Sequence, residues 1–270
     1  MMAAQSGLAA RYDPVAADYE RIVTDLRATH HADVVALAVE LVGRPPLLPR
    51  PRLVDLGCGP GVVSAAFRPR WQVTGVDVSA GQLSLARAGG RVDVLVVADA
   101  VRVPLPDGCA DAVLSTYTHT DVEDWPAVVA EAARLLSDGG VMAYVGPHPC
   151  FVGPHAEHRN GSVVHHAGYY HAPGRLRFAG PGLSPAESGG LRARVGVWHL
   201  TLAQLLAPFL ATDLWRDCRL VENLDDPPTL LGVRAVRRPT RYPALTLDAG
   251  RREAGGDAGD IAWPKHRPWD

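Results

Sequence analysis

Lysine is almost missing: Lys265 is the only one, and the rest of the positive charge is arginine. A high-GC genome explains such a skew without any function. It nevertheless excludes Schiff-base catalysis, which needs a lysine in a pocket, and a P-loop, which needs one beside the phosphates. Cysteine is also scarce. Cys58, Cys109, Cys150 and Cys218 lie far apart and form no CxxC pair, so neither a disulfide scaffold nor a zinc ribbon is expected. No segment reaches the ~18 uninterrupted apolar residues that a membrane span needs. Met1-Met2-Ala3-Ala4-Gln5-Ser6-Gly7 has no basic stretch leading into an apolar one. Charge of either sign is not in excess: the formal net charge is −2, which points to no nucleic-acid or membrane partner. The expectation is a cytoplasmic protein. Its 270 residues, 47% hydrophobic, suffice for one core with an appended cap.

What is present is an alternation. Apolar residues at helical spacing run from Val15 to Val42, including Ile22, Leu26, Val34, Leu37 and Leu41, until Gly43 and Pro45-Pro46 end the pattern. Arg52 to Leu56 reads as a buried strand closed by glycines. Then come a short helix over Ser64 to Arg68, a strand from Gln72 to Val78, a helix from Ala80 to Ala88 and a strand from Val92 to Ala98. A fourth strand covers Ala112 to Thr116, a helix Pro126 to Leu136, and a fifth strand Val141 to Val145. Continuous apolar strands alternating with helices predict an α/β fold with a parallel sheet covered on both faces. The pattern breaks at Gly146. Residues up to about Gly196 are rich in Gly, Pro and His with little periodicity, which predicts a functional insertion or one folded over something. A helix from Thr201 to Ala211 and strands from Asp217 to Glu222 and Leu230 to Val236 follow. The tail after Pro239 is polar and Gly/Pro-rich, and is expected to be mobile. The chain thus divides into an N-terminal helical segment (1–45), a nucleotide-type core (46–146), a cap insertion (147–199), a sheet-completing segment (200–238) and the tail (239–270).

The chemistry concentrates after the first strand, in Val54-Asp55-Leu56-Gly57-Cys58-Gly59-Pro60-Gly61. Glycines at 57, 59 and 61 allow a sharp turn and close approach of a ligand to the backbone. In an open parallel sheet, ligands bind beyond the carboxyl ends of the strands. Asp77 ends the next strand. Its two acceptor oxygens suit both hydroxyls of a ribose. The alternative, a helix N-cap, falls better to Ser79. A dinucleotide fingerprint needs a third glycine where Val62 stands. Asp55 would repel a pyrophosphate but can help hold an ammonium. Both features favour S-adenosylmethionine (SAM) over a nicotinamide dinucleotide. Asp99, at the third strand end, can accept from an exocyclic adenine amine, or is a solvated loop acid.

Together with Gly75-Val76-Asp77-Val78-Ser79, Ala98-Asp99-Ala100, Leu105-Pro106, Asp111 to Ser115, and Glu131 to Leu136 with Gly139-Gly140, this ordered set resembles the class I SAM-dependent methyltransferases. The similarity is to their small-molecule branch, which includes the quinone-biosynthesis enzymes. It implies a Rossmann-like, seven-stranded, mostly parallel sheet with helices on both faces and a cap inserted after the fifth strand. It also implies roles. Asp55, Gly57, Cys58, Gly59 and Gly61 would surround the methionine part of SAM. Asp77 would hold the ribose, Val78 would face adenine, and Asp99 and Ala100 would meet its edge. Ser115 and Thr116 would border the methionine end, and Tyr12 and Tyr19 would close over the cofactor or simply pack a helix on the sheet.

Acceptor chemistry is less determined. Histidines cluster after the fifth strand at 148, 155, 158, 165, 166 and 171, alongside Arg159 and Tyr169-Tyr170. A base is needed only if the nucleophile holds a proton, and His148, then His119 or His199, are the candidates. No metal is expected. Asp121, Glu123 and Asp124 read as the first turn of the helix from Trp125. The function expected is methyl transfer to a small-molecule acceptor, in specialised metabolism. The rivals are a non-catalytic SAM-binding regulator and an NAD-dependent oxidoreductase. Oligomeric state stays open, a homodimer being one option because the Trp-bearing tail could dock on a partner subunit.

Overall fold

The computed structural model describes residues 11–26, 28–172, 175–176 and 191–239. The expected mobile tail beyond 239 lies outside the described residues. The N-terminal helical stretch is broken rather than continuous. A 3-10 turn (Asp13–Val15) leads into α1 (Ala16–Arg21), a π-helical turn (Ile22–Leu26), and then α2 (Ala28–Val42). Gly43 ends α2 at φ +76°.

The core then alternates as the apolar runs dictate: β1 (Arg52–Leu56), β2 (Gln72–Asp77), α3 (Ala80–Ala88), β3 (Val94–Val97), β4 (Ala110–Thr116), α4 (Trp125–Leu135) and β5 (Leu136–Pro147). The fifth strand is longer than its apolar run. It begins directly after α4, and residues 137–140 bulge out between the pairs Ala110↔Leu136 and Ala112↔Val141. The insertion is not structureless. β6 (Ala156–Arg159) and β7 (Ser162–His165) form a hairpin, and β8 (Arg175–Leu176) pairs with β9 (Val197–Trp198) around α5 (Leu191–Val195). Asn160 and Gly161 turn the hairpin, both at positive φ, as a two-residue turn of that handedness requires. Finally α6 (Leu202–Leu210), N-capped by Thr201 through a capping box with Gln204, precedes β10 (Trp215–Glu222) and β11 (Leu230–Arg237).

The sheet order is β10-β11-β5-β4-β1-β2-β3. β1 through β5 run parallel, and β11 is reversed against both β5 and β10. One core packs α4 and α6 on one face through Trp125, Val128, Leu205 and Phe209. The other packs α2 with Val34, Leu41, Phe67 and Trp71 on the opposite face. Both faces are therefore dry, which is why the strands read as apolar runs. Strand order reverses between β1 and β4: the chain first moves outward through β2 and β3, then returns to β4 on the other side. Such a switch point opens a crevice at the carboxyl ends of the strands.

Candidate functional site

The crevice floor is the loop after β1. Gly57 N–H and Cys58 N–H donate to the Val76 carbonyl at 2.8 and 3.0 Å, tying the loop to the end of β2. Gly57 sits at φ +74°, and a Cβ there would lie 2.6 Å from Thr118 Oγ1. Thr118 in turn donates to the Leu56 carbonyl at 3.0 Å, so the turns after β1 and β4 interlock. Only glycine fits this position.

Asp77 closes the next side. Its Oδ2 accepts from Gly59 N–H and its Oδ1 from Ser79 N–H, each at 2.9 Å. Ser79 caps α3 by accepting from Gln82 N–H at 3.1 Å, which leaves Asp77 free of that duty, as its sequence position suggested. Burial pushes the Asp77 carboxyl up to about 6, against the lowering effect of the two N–H donors. Beyond β3, Asp99 Oδ1 accepts from Val101 N–H at 3.1 Å. The segment after it is clamped by the buried Glu131, which accepts from Val103 N–H at 2.6 Å, and by Arg134, which donates to the Val103 and Leu105 carbonyls. The acid and the arginine of the Glu131–Leu136 motif thus shape the pocket from behind.

Three distant segments form the roof. Tyr12 donates to Asp121 Oδ1 at 2.6 Å, and Arg192 donates to the same oxygen at 3.0 Å and to Thr120 Oγ1 at 2.9 Å. Asp13 accepts from Ser79 Oγ at 2.5 Å and from Gly81 N–H at 3.0 Å, fixing the N-terminal segment on α3. Tyr19 meets Tyr12 edge-on, with ring centroids 5.9 Å apart. Asp121 corrects the sequence reading. Asp124 does N-cap α4, accepting from Ala127 N–H at 3.0 Å, but Asp121 belongs to the cavity wall instead. Among the described residues no group of three or more His, Cys, Asp or Glu could hold a metal ion.

These walls enclose about 610 Å³, including the open mouth. Of the residues singled out in the sequence, Tyr12, Tyr19, Gly57, Gly59, Asp77 and Val78 line the cavity, as do Asp99, Ala100 and Thr116. Four do not. Cys58 turns its sulfur toward β2, 2.8 Å from where a Cβ on Gly75 would lie. Gly61 makes room for Arg91 and Ala86 rather than for a ligand. Ser115 is wholly buried with its hydroxyl unpartnered. Asp55 is buried behind the loop; Ser64 donates to its Oδ2 while Oδ1 has no partner, and burial pushes its carboxyl up to about 7. The residues that sequence reasoning missed are Gln82, Ala98, Tyr117, Thr118, Asp121 and Val122.

The three candidate bases are not among the lining residues. His148 has both ring nitrogens committed. Nδ1 accepts from Cys150 N–H at 3.2 Å, so Nε2 carries the proton and donates to Glu222 at 2.8 Å. His119 Nδ1 lies 2.5 Å from Tyr144 Oη, and burial pushes its pKa down to about 3. His199 packs among His155 and Tyr170 and is pushed down to about 4, mainly by burial and then by His155.

The profile of the methyltransferase domain family matches residues 54–144, the span that carries β1 to β5. The chain is 33% identical over 186 residues to a trans-aconitate 2-methyltransferase of Enterobacter sp. (strain 638), covering 66% of this chain and 70% of that one. The chain belongs to the SAM-dependent methyltransferases. This methyltransferase chain spans a smaller part of other relatives. It is 35% identical over 97 residues to a malonyl-[acyl-carrier protein] O-methyltransferase of Serratia marcescens, which is 36% of this chain and 38% of that one. The same fold recurs in a SAM-dependent methyltransferase from Mesorhizobium loti, with a TM-score of 0.56 at 23% identity over 71% of this chain and 93% of that one. Among the described residues, no helix of this methyltransferase is long and apolar enough to cross a membrane.

Proposed function

We propose that the chain binds SAM in this cavity and transfers its methyl group to a small-molecule acceptor. The observation that carries the reading is Asp77, a carboxylate fixed by one backbone N–H on each oxygen and facing the cavity at the switch point of the sheet. Each oxygen keeps acceptor capacity for a ribose hydroxyl. The remaining residues fit the rest of an adenosyl sulfonium. Val78, Ala98, Ala100 and Val122 offer apolar surface to a flat base, and Asp99 can accept from its amine. The Asp77 carboxylate on the cavity wall, with Asp55 behind the loop, makes this end of the cavity a favourable place for positive charge.

Bound SAM supplies a methyl group on a positively charged sulfur, open to attack by a nucleophile in line. The chain's own part is positioning, which can supply ~7–11 kcal/mol of the barrier. Tyr12, Asp121 and Arg192 join the N-terminal segment, the turn after β4 and the insertion over the cavity, and so exclude water. No histidine lines the described wall. An acceptor that is already an anion at neutral pH needs no base, so we favour a carboxylate. Relatives named for malonyl-[acyl-carrier protein] and trans-aconitate support that choice.

The test is transfer of label from methyl-labelled SAM to a panel of small carboxylic acids and phenols. Label is expected in a base-labile ester, and His148→Ala should keep turnover within about two-fold of wild type. Label confined to phenols, with turnover abolished in His148→Ala, would overturn the carboxylate reading. No transfer to any acceptor, with SAM bound, would favour a non-catalytic SAM-binding protein.

A further inference from the structure

Arg192 is tied to the cavity wall without being used up there. Its Nη1 donates to Asp121 Oδ1 at 3.0 Å and lies 3.5 Å from Tyr12 Oη, and its Nη2 donates to Thr120 Oγ1 at 2.9 Å. A guanidinium spent on a carboxylate frequently takes both oxygens in a fork. Here it takes one, and Asp121 Oδ2 is left to the Thr120 hydroxyl at 3.0 Å. Of the five N–H groups of the guanidinium, Nε–H and one on Nη2 have no partner among the described residues. The side chain is 24% exposed, so these donors are open to a ligand.

The sheet order says which end of the cavity this is. β3 and β4 lie on opposite sides of β1 and β2, so Asp99 stands at one end and the turn after β4, with Asp121, at the other. With adenine against Asp99, the sulfonium lies toward the β4 end. The insertion that carries Arg192 follows β5, the strand next to β4, and its Arg192 reaches that same end. The described lining holds the carboxylates of Asp77, Asp99 and Asp121 but no lysine, arginine or histidine. An anionic acceptor entering past these acids needs positive charge to offset them. The sulfonium draws it toward the methyl group, and Arg192 is a cation already bonded to the wall beside its path.

We infer that Arg192 holds the acceptor's carboxylate through its spare N–H groups and makes the site selective for an anionic acceptor over a neutral one. This rests on the adenosyl and carboxylate readings given above. One carboxylate oxygen accepts from Arg192 while the other attacks the methyl carbon. The new C–O bond forms as the S–C bond breaks, and the electron pair of that bond goes to sulfur. An anion and a sulfonium become a neutral ester and a neutral thioether, with no proton to move. The ester carries no charge for the guanidinium to pair with, so the product binds more weakly than the acid.

Binding, rather than turnover, tests it. Wild type, Arg192→Gln and Arg192→Lys, each saturated with S-adenosylhomocysteine, are titrated by calorimetry with the carboxylic acid of the panel that takes label, and with its methyl ester. Gln keeps donors for Asp121 and Thr120 but no charge; Lys keeps the charge but not the planar fork. The acid should weaken about 30-fold in Arg192→Gln, the loss expected for charge-assisted hydrogen bonds, and about five-fold in Arg192→Lys. The ester should bind all three proteins within about two-fold. Equal affinity for the acid in wild type and variants would overturn the proposal. So would equal losses for acid and ester, because Arg192 would then only close the roof. S-adenosylhomocysteine and 5′-methylthioadenosine are titrated into the unloaded proteins as well. A 30-fold loss for the first with none for the second would put Arg192 on the cofactor's own carboxylate, and would also overturn it. If no acid takes label or binds the loaded wild type, the carboxylate reading falls together with this one; if an acid takes label but binds without regard to Arg192, this proposal falls alone.

Discussion

Asp77→Asn should weaken binding of SAM and S-adenosylhomocysteine by at least about 100-fold, a loss of ~3 kcal/mol. Two effects add. In the proposed site the Asp77 carboxylate would accept from two ribose hydroxyls, and such charge-assisted bonds are each worth ~1.5–3 kcal/mol. The Asn amide also sets an N–H₂ against the N–H of Gly59 or of Ser79, where the carboxylate presents an oxygen to each. That donor–donor clash disturbs the glycine loop as well as the ligand. Calorimetry measures the affinity, and thermal unfolding of the ligand-free variant shows that it folds. An affinity within about ten-fold of wild type would mean that Asp77 does not hold the cofactor.

The second large effect is on pH. Burial raises Asp55 to about 7 and Asp77 to about 6 in the ligand-free chain. A raised folded-state pKa favours the protonated folded form. The stability it contributes is present below the unfolded value of ~4 and is lost as pH rises through 6 to 7. A cationic ligand reverses the preference, because it binds the ionised carboxylates better. Affinity for SAM should therefore rise about ten-fold or more between pH 5 and pH 7, with protons released on binding. The window stops there because an α-amino group itself titrates at ~7.7–8.0. Calorimetry near pH 6 in two buffers of different ionisation heat reads the proton release directly. A flat affinity over this range, with no release, would place Asp77 away from the ligand.

The alternation of elements was legible because parallel strands buried on both faces leave unbroken apolar runs, and each run from β1 to β3 ends at or within a few residues of an acid or a glycine loop. Ser79 and Asp77 could be told apart because capping preference and strand-end position point in different directions. Asp121 could not be placed. Its partners, Tyr12 and Arg192, are 109 and 71 residues away, and acids just before a helix have a simpler reading. Gln82 looked like any polar residue on an amphipathic helix; it lies buried at the start of α3, where the segment anchored by Asp13 packs. His148 was correctly placed just beyond a strand's carboxyl end, but sequence does not give the direction of the ring, which turns to Glu222 on β10. The hairpin in the insertion carried its own sign in Asn160-Gly161, overlooked because the flanking segments are short and rich in histidine.

The central claim is that this cavity belongs to an adenosyl sulfonium and not to a dinucleotide. Isothermal titration of the whole chain with SAM, S-adenosylhomocysteine and NAD tests it most directly. The account predicts saturable binding of SAM and S-adenosylhomocysteine and none of NAD, because Val62 replaces the third glycine of a dinucleotide loop and Asp55 repels a pyrophosphate. Saturable binding of NAD with no response to either adenosyl compound would contradict it.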